Sequence, residues 1–208
     1  QTANELDRET IRRELNLNGK KVYIYIGSFG GWYLTDEMAR FLAHTHRRDS
    51  NAFTIVLTQR QVEKVKDMLG QAGLNERDFL VKSVSPAEIP KYLKAADAAL
   101  SFIKPTYSKQ ASSPTKIAEY LAGGLPIISN AGVGDLDQLI EGEGVGVIIK
   151  GFSEKDFESA LKRIDDLLMN ENLRQHNRRV AGEKFDLQKV GGERYRRIYR
   201  RISRIKTE

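Results

Sequence analysis

The sequence predicts an α/β fold, a doubly wound parallel sheet of about six strands with helices on both faces, and three observations lead there. Hydrophobic runs alternate with segments of helical period from one end of the chain to the other, the pattern of βαβ units wrapped around a parallel sheet. A length of 208 residues, 40% hydrophobic and 30% charged, is enough to bury such a core and fits neither a disordered nor a disulfide-built chain. No repeat, low-complexity tract or Pro-, Gly- or Ser-rich linker divides the sequence, so residues 1–208 read as one domain.

Val22 to Ile26 is a strand ending at Gly27 and a glycine-containing loop, after which Met38, Phe41, Leu42 and Thr45 fall on one helical face. Phe53 to Leu57 is the second strand, Val62 to Leu69 a helix, and Phe79 to Val81 a short third strand. Ser85 and Glu88 form a capping box around Pro86, which predicts a helix to about Ala95, followed by a strand over Ala98 to Ile103. Beyond a polar loop, Ser113 and Pro114 open a helix that Gly123 and Gly124 close, before a fifth strand at Pro126 to Ser129. Val145 to Ile149 is the sixth strand. Ser153 caps a helix marked by Phe157, Leu161, Ile164 and Leu168, and the C-terminal part, residues 171–206, reads as helical throughout.

Composition removes several chemistries. Without cysteine there is no disulfide, thiolate zinc site or cysteine nucleophile, and a reducing compartment, the cytoplasm, is expected. No apolar run approaches the roughly 20 residues of a membrane span. Because the chain starts at Gln1, its natural N-terminus and any leader are expected to lie outside it. His44, His46 and His176 show no metal-ligand spacing with carboxylates and read as structural, and no metal site or Ser-His-Asp triad is expected. A net charge of +6 favours anionic partners.

The stretch from Ser112 to Ile128, SSPTKIAEYLAGGLPII, carries the most chemistry. The first amides of the helix opened by Ser113 and Pro114 would point outward at the carboxyl edge of the sheet, where open α/β sheets bind ligands, and would suit a phosphate. Lys116 adds a cation one turn in, and Glu119, three residues on and on roughly the same face, suits a ribose diol. Together they spell a nucleoside diphosphate. The plainer alternative is a surface Lys116–Glu119 pair on a helix that Ser113 and Pro114 merely start. A second candidate is the loop Gly27-Ser28-Phe29-Gly30-Gly31-Trp32-Tyr33, where the small residues Gly27 and Ser28 would let backbone amides approach a ligand. It lacks Gly-x-Gly-x-x-Gly spacing, which disfavours NAD, and its alternative is a tight strand-to-helix turn.

These residues resemble the signature of glycosyltransferase family 4, retaining enzymes of the GT-B architecture with two Rossmann-type domains. In that family a helix bearing a glutamate and ending in Ala-x-Gly-x-Pro-(Val/Ile)-(Ile/Val) contacts the donor nucleotide, and many members read Ser-Pro-Thr-Lys before it. Here Ser113-Pro114-Thr115-Lys116, Glu119 and the run Ala122 to Ile128 match. Val22 to Gly27 is similar to the first strand of the family's C-terminal domain, and Ala95-Ala96-Asp97 to the step ahead of its donor loop.

The resemblance implies the Rossmann-like donor half of a hexosyltransferase-type enzyme, whose acceptor-binding N-terminal domain is absent from this chain. It implies retaining transfer from a nucleotide diphosphate sugar to a hydroxyl acceptor in cell-surface glycan synthesis, with no cofactor or metal and no activity in this half alone. Gly27, Ser28, Ser113, Pro114, Thr115, Lys116 and Glu119 are then donor-binding, and Lys116 is also catalytic. Its charge and the helix amides would stabilise the departing diphosphate, each such group typically worth about 3 kcal/mol.

Two positions depart from the family. Ala111 stands where an acidic residue is usual, which leaves an inactive relative open. Gly27 to Thr35 holds no basic residue, so the phosphate charge falls to Lys116, with Lys104, Lys109 and Arg60 as further candidates. Gly132-Val133-Gly134-Asp135, also similar to the family, reads as a structural connection.

From Arg194 the chain becomes a basic amphipathic helix with Tyr195, Ile198, Ile202 and Ile205 on one stripe. Packing against the absent N-terminal domain is the first reading. An anionic membrane surface, at the inner face of the membrane, is the second. Nucleic acid is not expected as a partner. The rival reading of the whole chain is a non-catalytic nucleotide-binding or nucleic-acid-binding module, and its nucleic-acid form predicts oligonucleotide binding through the basic tail with a steep salt dependence and no sensitivity to Glu119→Ala.

Overall fold

The structure is a computed structural model that describes residues 8–109 and 114–205. Six strands, β1 (Lys21–Ile26), β2 (Ala52–Leu57), β3 (Phe79–Lys82), β4 (Ala98–Ser101), β5 (Ile127–Asn130) and β6 (Gly146–Ile149), form one sheet in the order β3-β2-β1-β4-β5-β6. Every neighbouring pair is parallel. This is the doubly wound α/β architecture that the alternation of runs predicts.

Parallel strands bury both faces, and the side chains of β1 show how. Val22 and Ile24 enter one core, Tyr23 and Tyr25 the other. The first core is closed by α1 (Arg8–Glu14), α4 (Ile89–Ala95), α5 (Thr115–Ala122), α6 (Leu136–Gly142) and α8 (Leu173–Phe185), through side chains such as Ile11, Leu93, Tyr120, Ile140 and Val180. The second is closed by α2 (Thr35–Arg48), α3 (Val62–Gln71) and α7 (Glu154–Leu168), which contribute Phe41, Leu69 and Phe157. After α8 a π-helical turn at Leu187–Gly191 leads into α9 (Gly192–Ile205).

Several boundaries differ from the sequence reading. Strand β4 stops at Ser101, not Ile103, because Ile103 leaves the ladder to bridge Tyr33 and is held by a side chain instead. Its N–H donates to Asn130 Oδ1 at 2.7 Å and its carbonyl accepts from Asn130 Nδ2 at 2.8 Å. The Ser85–Glu88 capping box forms, but it closes a 3₁₀ turn at Pro86–Glu88, and α4 begins only at Ile89. The box at Ser153 is made with Asp156. The three histidines make structural contacts, His44 with Glu158, His46 with Thr54, and His176 with the carbonyl of Glu143.

Helix α1 has no counterpart in the apolar pattern, since among its described side chains only Ile11 and Arg12 are buried. It is anchored by charge. Arg8 and Arg12 reach Asp97 at 2.5 and 3.2 Å, and Arg12 also donates to the carbonyls of Ala95 (2.6 Å) and Leu17 (2.8 Å). Asp97 completes the joint by accepting the Val22 N–H at 2.8 Å.

Candidate functional site

The strand order reverses between β1 and β4, and ligands of open α/β sheets bind outside the carboxyl ends of the strands at such a point. The two segments singled out by sequence both arrive there. The loop from Gly27 leaves β1, and α5, which begins at Thr115, follows β4. Nearly 90 residues separate Gly27 from Lys116 in sequence, yet in space a side-chain carbon on Gly27 would stand 2.9 Å from Lys116 Nζ.

Gly27 makes that approach possible. Its φ of +142° is one that glycine adopts readily, and its missing side chain leaves a gap over the sheet edge. Lys116 runs through this gap from the helix layer on one face to Tyr25, whose ring belongs to the core of the other face. Its Nζ donates to Tyr25 Oη at 3.3 Å and lies 4.4 Å from the Tyr25 ring centroid and 4.0 Å from that of Tyr33. Such distances are those of cation–π attraction. Tyr25 Oη donates in turn to the carbonyl of Ser28 at 2.7 Å, and Tyr120 Oη accepts the N–H of Ile26 at 2.9 Å. Strand end, glycine loop and α5 are thus tied together.

The electrostatics follow from this enclosure. Lys116 is only 7% exposed, and burial pulls its ammonium down to about 7, with nearby Glu119 opposing the shift. Burial pushes the phenols of Tyr25 and Tyr120 well above their ordinary values, so both remain protonated. Tyr25 can therefore donate to Ser28 while accepting from Lys116.

Lys116 and Glu119, expected on roughly the same face of α5, diverge. Lys116 turns inward and is buried, whereas Glu119 is exposed, and no ion pair joins the two. A surface Lys116–Glu119 pair is therefore not what the helix carries. Glu119 instead edges an apolar hollow of about 240 Å³, lined also by Pro86, Ile89, Pro90 and Leu93. Among the other expected residues, Ser28 and Thr115 are exposed and Pro114 is the N-cap of α5, with no side-chain cap bond. Ser113 and Ala111 lie outside the described residues.

Lys104 and Arg60 are exposed and Lys109 ends a 3₁₀ turn at Tyr107–Lys109, while the Lys104 N–H donates to the Trp32 carbonyl at 2.9 Å and joins the two loops. Gly132 to Asp135 connects β5 to α6, with Val133 in the core. Sequence reasoning missed Tyr25, Tyr33 and Tyr120. The available signal was a hydroxyl-bearing aromatic two residues before the glycine at the end of an apolar strand.

The sequence model of a family described as glycosyl transferases group 1 matches residues 7–184. Spore coat protein SA of Bacillus subtilis (strain 168) is 25% identical over 196 residues, covering 88% of this chain and 50% of that protein. The chain spans about half the length of this curated relative. Among solved structures, Anabaena HepE in complex with UDP and glucose aligns with a TM-score of 0.72 at 14% identity, over 92% of this chain and 51% of that one. The C-terminal domain of LpcC, a glycosyl transferase group 1 family protein of Francisella tularensis, gives 0.65 at 17% identity, over 88% of this chain and 94% of that domain. These structural likenesses show the fold. The family match extends over most of the chain and includes both segments that meet at Lys116, and the chain belongs to the group 1 glycosyl transferases.

Proposed function

We propose that this chain binds the nucleoside diphosphate of a sugar donor, as the donor half of an enzyme that transfers a hexosyl group to a hydroxyl acceptor with retention of configuration. The observation that carries this reading is the buried Lys116 side chain at the point where the strand order reverses, with its Nζ against Gly27. A diphosphate would meet Lys116, the start of α5 at Pro114 and Thr115, and the loop amides, without displacing a carboxylate from Lys116. Glu119, exposed at the rim of the apolar hollow, would accept the ribose hydroxyls, with the base against Pro86 and Ile89. That HepE was solved with UDP and glucose supports a uridine donor as the first to try.

In the transfer step, negative charge gathers on the departing diphosphate. Lys116, itself buried and held in place by two tyrosines, would meet that charge without reorganising. No metal or cofactor has a part in this reading. The acceptor and part of the sugar are assigned to the absent half, in cytoplasmic synthesis of a cell-surface glycan.

Calorimetric titration with UDP, GDP, ADP and their sugar conjugates tests the proposal. One nucleotide should bind selectively. Lys116→Ala should weaken it by about 2 kcal/mol, roughly 30-fold, and Glu119→Ala by roughly tenfold. Nucleotide binding left unchanged in both variants would refute the site.

A further inference from the structure

Asn130 ends β5 as a polar side chain only 3% exposed, and its amide is held by backbone on both sides. Its Oδ1 accepts the Ile103 N–H at 2.7 Å, and its Nδ2 donates to the carbonyls of Ile103 at 2.8 Å and Ala131 at 3.0 Å. The parallel register that sets Ser101 opposite Ser129 would, if continued, give Ile103 backbone partners on β5 without any side chain. By standing in for that strand, the Asn130 amide lets Ile103 leave the ladder and pair with Tyr33 instead. Two backbone bonds flank the pair in a short antiparallel ribbon. The Leu34 N–H donates to the Phe102 carbonyl at 3.2 Å, and the Lys104 N–H to the Trp32 carbonyl at 2.9 Å. This ribbon sets the Tyr33 ring, whose centroid lies 4.0 Å from Lys116 Nζ and 6.1 Å from the Tyr25 centroid. On its other side the loop is loosely packed, since a side-chain carbon on Gly30 or Gly31 would meet nothing within 4 Å.

We propose that Asn130 is a positioning residue for the donor diphosphate, fixing through Ile103 and Tyr33 one wall of the Lys116 cage and with it the aim of the cation. The proposal rests on the donor reading given above. Among the described residues the Asn130 side chain makes no hydrogen bond to Lys116, so its influence passes through the ribbon. A binding group is aimed only as well as the residues behind it are fixed, and a ring attracts an ammonium only while its face is turned to it. The titratable groups around Lys116 are Tyr25 of β1, Tyr33 of the loop and Glu119 of α5.

Two measurements on the 208-residue chain test this, both made well below its melting temperature, and the first needs no nucleotide. In nuclear magnetic resonance spectra with isotope-labelled lysine, the signal lost in Lys116→Met is that of Lys116, and it should titrate at about 7. Asn130→Ala should let water into the cage and move the midpoint toward the ordinary value of about 10.4, a proton affinity roughly tenfold higher or more. Tyr33→Ala should do the same, and the double variant should move it no further, because both changes remove one wall. The second measurement is calorimetric titration with UDP at about pH 6, where the ammonium is largely formed in every variant. Asn130→Ala should bind roughly fivefold more weakly, again with nothing added in the double variant. Should Asn130→Ala fail to fold, Asn130→Ser takes its place.

A Lys116 midpoint that stays put in the Asn130 variant would overturn the proposal and leave Asn130 with a purely structural part. So would effects of the Asn130 and Tyr33 changes that simply add, which would mean that Asn130 acts by another route. A wild-type chain that binds none of UDP, GDP and ADP would sink the donor reading instead, while the nucleotide-free midpoints would still decide whether Asn130 holds the cage.

Discussion

Lys116 joins a cation to a site that penalises it, and pH should expose the conflict. Its ammonium titrates near 7 in the folded chain and near its ordinary value, about 10.4, in the unfolded one. Between those values the unfolded state binds the extra proton, so this residue's contribution to stability rises with pH across that window and its penalty is complete below it. A bound diphosphate reverses the preference, because it recruits the protonated form. Nucleotide binding above about pH 7 should therefore take up a proton and weaken with rising pH, by up to tenfold per unit. Titration in buffers of differing ionisation enthalpy reads the uptake directly. A binding enthalpy independent of buffer at pH 8.5, or an uptake that persists in Lys116→Met, would contradict it. The sequence showed the lysine and the glutamate through their motif but not the cage around the lysine. Tyr25 and Tyr33 belong to a distant segment, and only the placement of β1 beside β4 brings their rings to Nζ.

Elements that bury an apolar stripe were legible, and those held by polar groups were not. The strands and the long helices α2 and α7 announce themselves by period, whereas α1 offers the core only Ile11 and is fastened by guanidinium groups to carbonyls more than 80 positions away. Asp97 is the fastening point. It takes Arg8, Arg12 and the Val22 N–H, with Arg174 of α8 3.9 Å away. Burial, then repulsion from Arg8, pulls the Arg174 guanidinium down to about 10, so this cluster is already short of negative charge. Asp97→Ala should lower stability by about 2 kcal/mol, seen as a drop in calorimetric melting temperature, and speed amide exchange in α1 before the rest of the fold opens. An unchanged melting temperature would mean that α1 is held by Ile11 and the carbonyl bonds alone. The end of β4 was misread for a similar reason, since Phe102 and Ile103 are apolar but Ile103 is bound by the Asn130 side chain and not by a strand.

At the scale of the whole molecule, the fold class could be read from alternation alone, because a parallel sheet with helices on both faces needs that order of elements. The strand order could not, since it depends on which edges meet. A chain half the length of its relative should separate binding from turnover. Incubated with the donor it binds, it should release free nucleotide no faster than buffer does, and measurable transfer to an added acceptor would show that the acceptor groups are already present.

The order β3-β2-β1-β4-β5-β6 has one more consequence, in the time before the protein is complete. Strand β1 sits mid-sheet, yet its partner β4 lies about 75 residues downstream, with Tyr23 opposite Ala98. At a synthesis rate of roughly 5–20 residues per second, the Val22 to Ile26 edge leaves the ribosome roughly 4–15 s before anything can pair with it on that side. An unpaired edge of valine, isoleucine and tyrosine invites pairing with the wrong chain. The strand that leads into the glycine loop is thus also where the nascent chain most needs a chaperone.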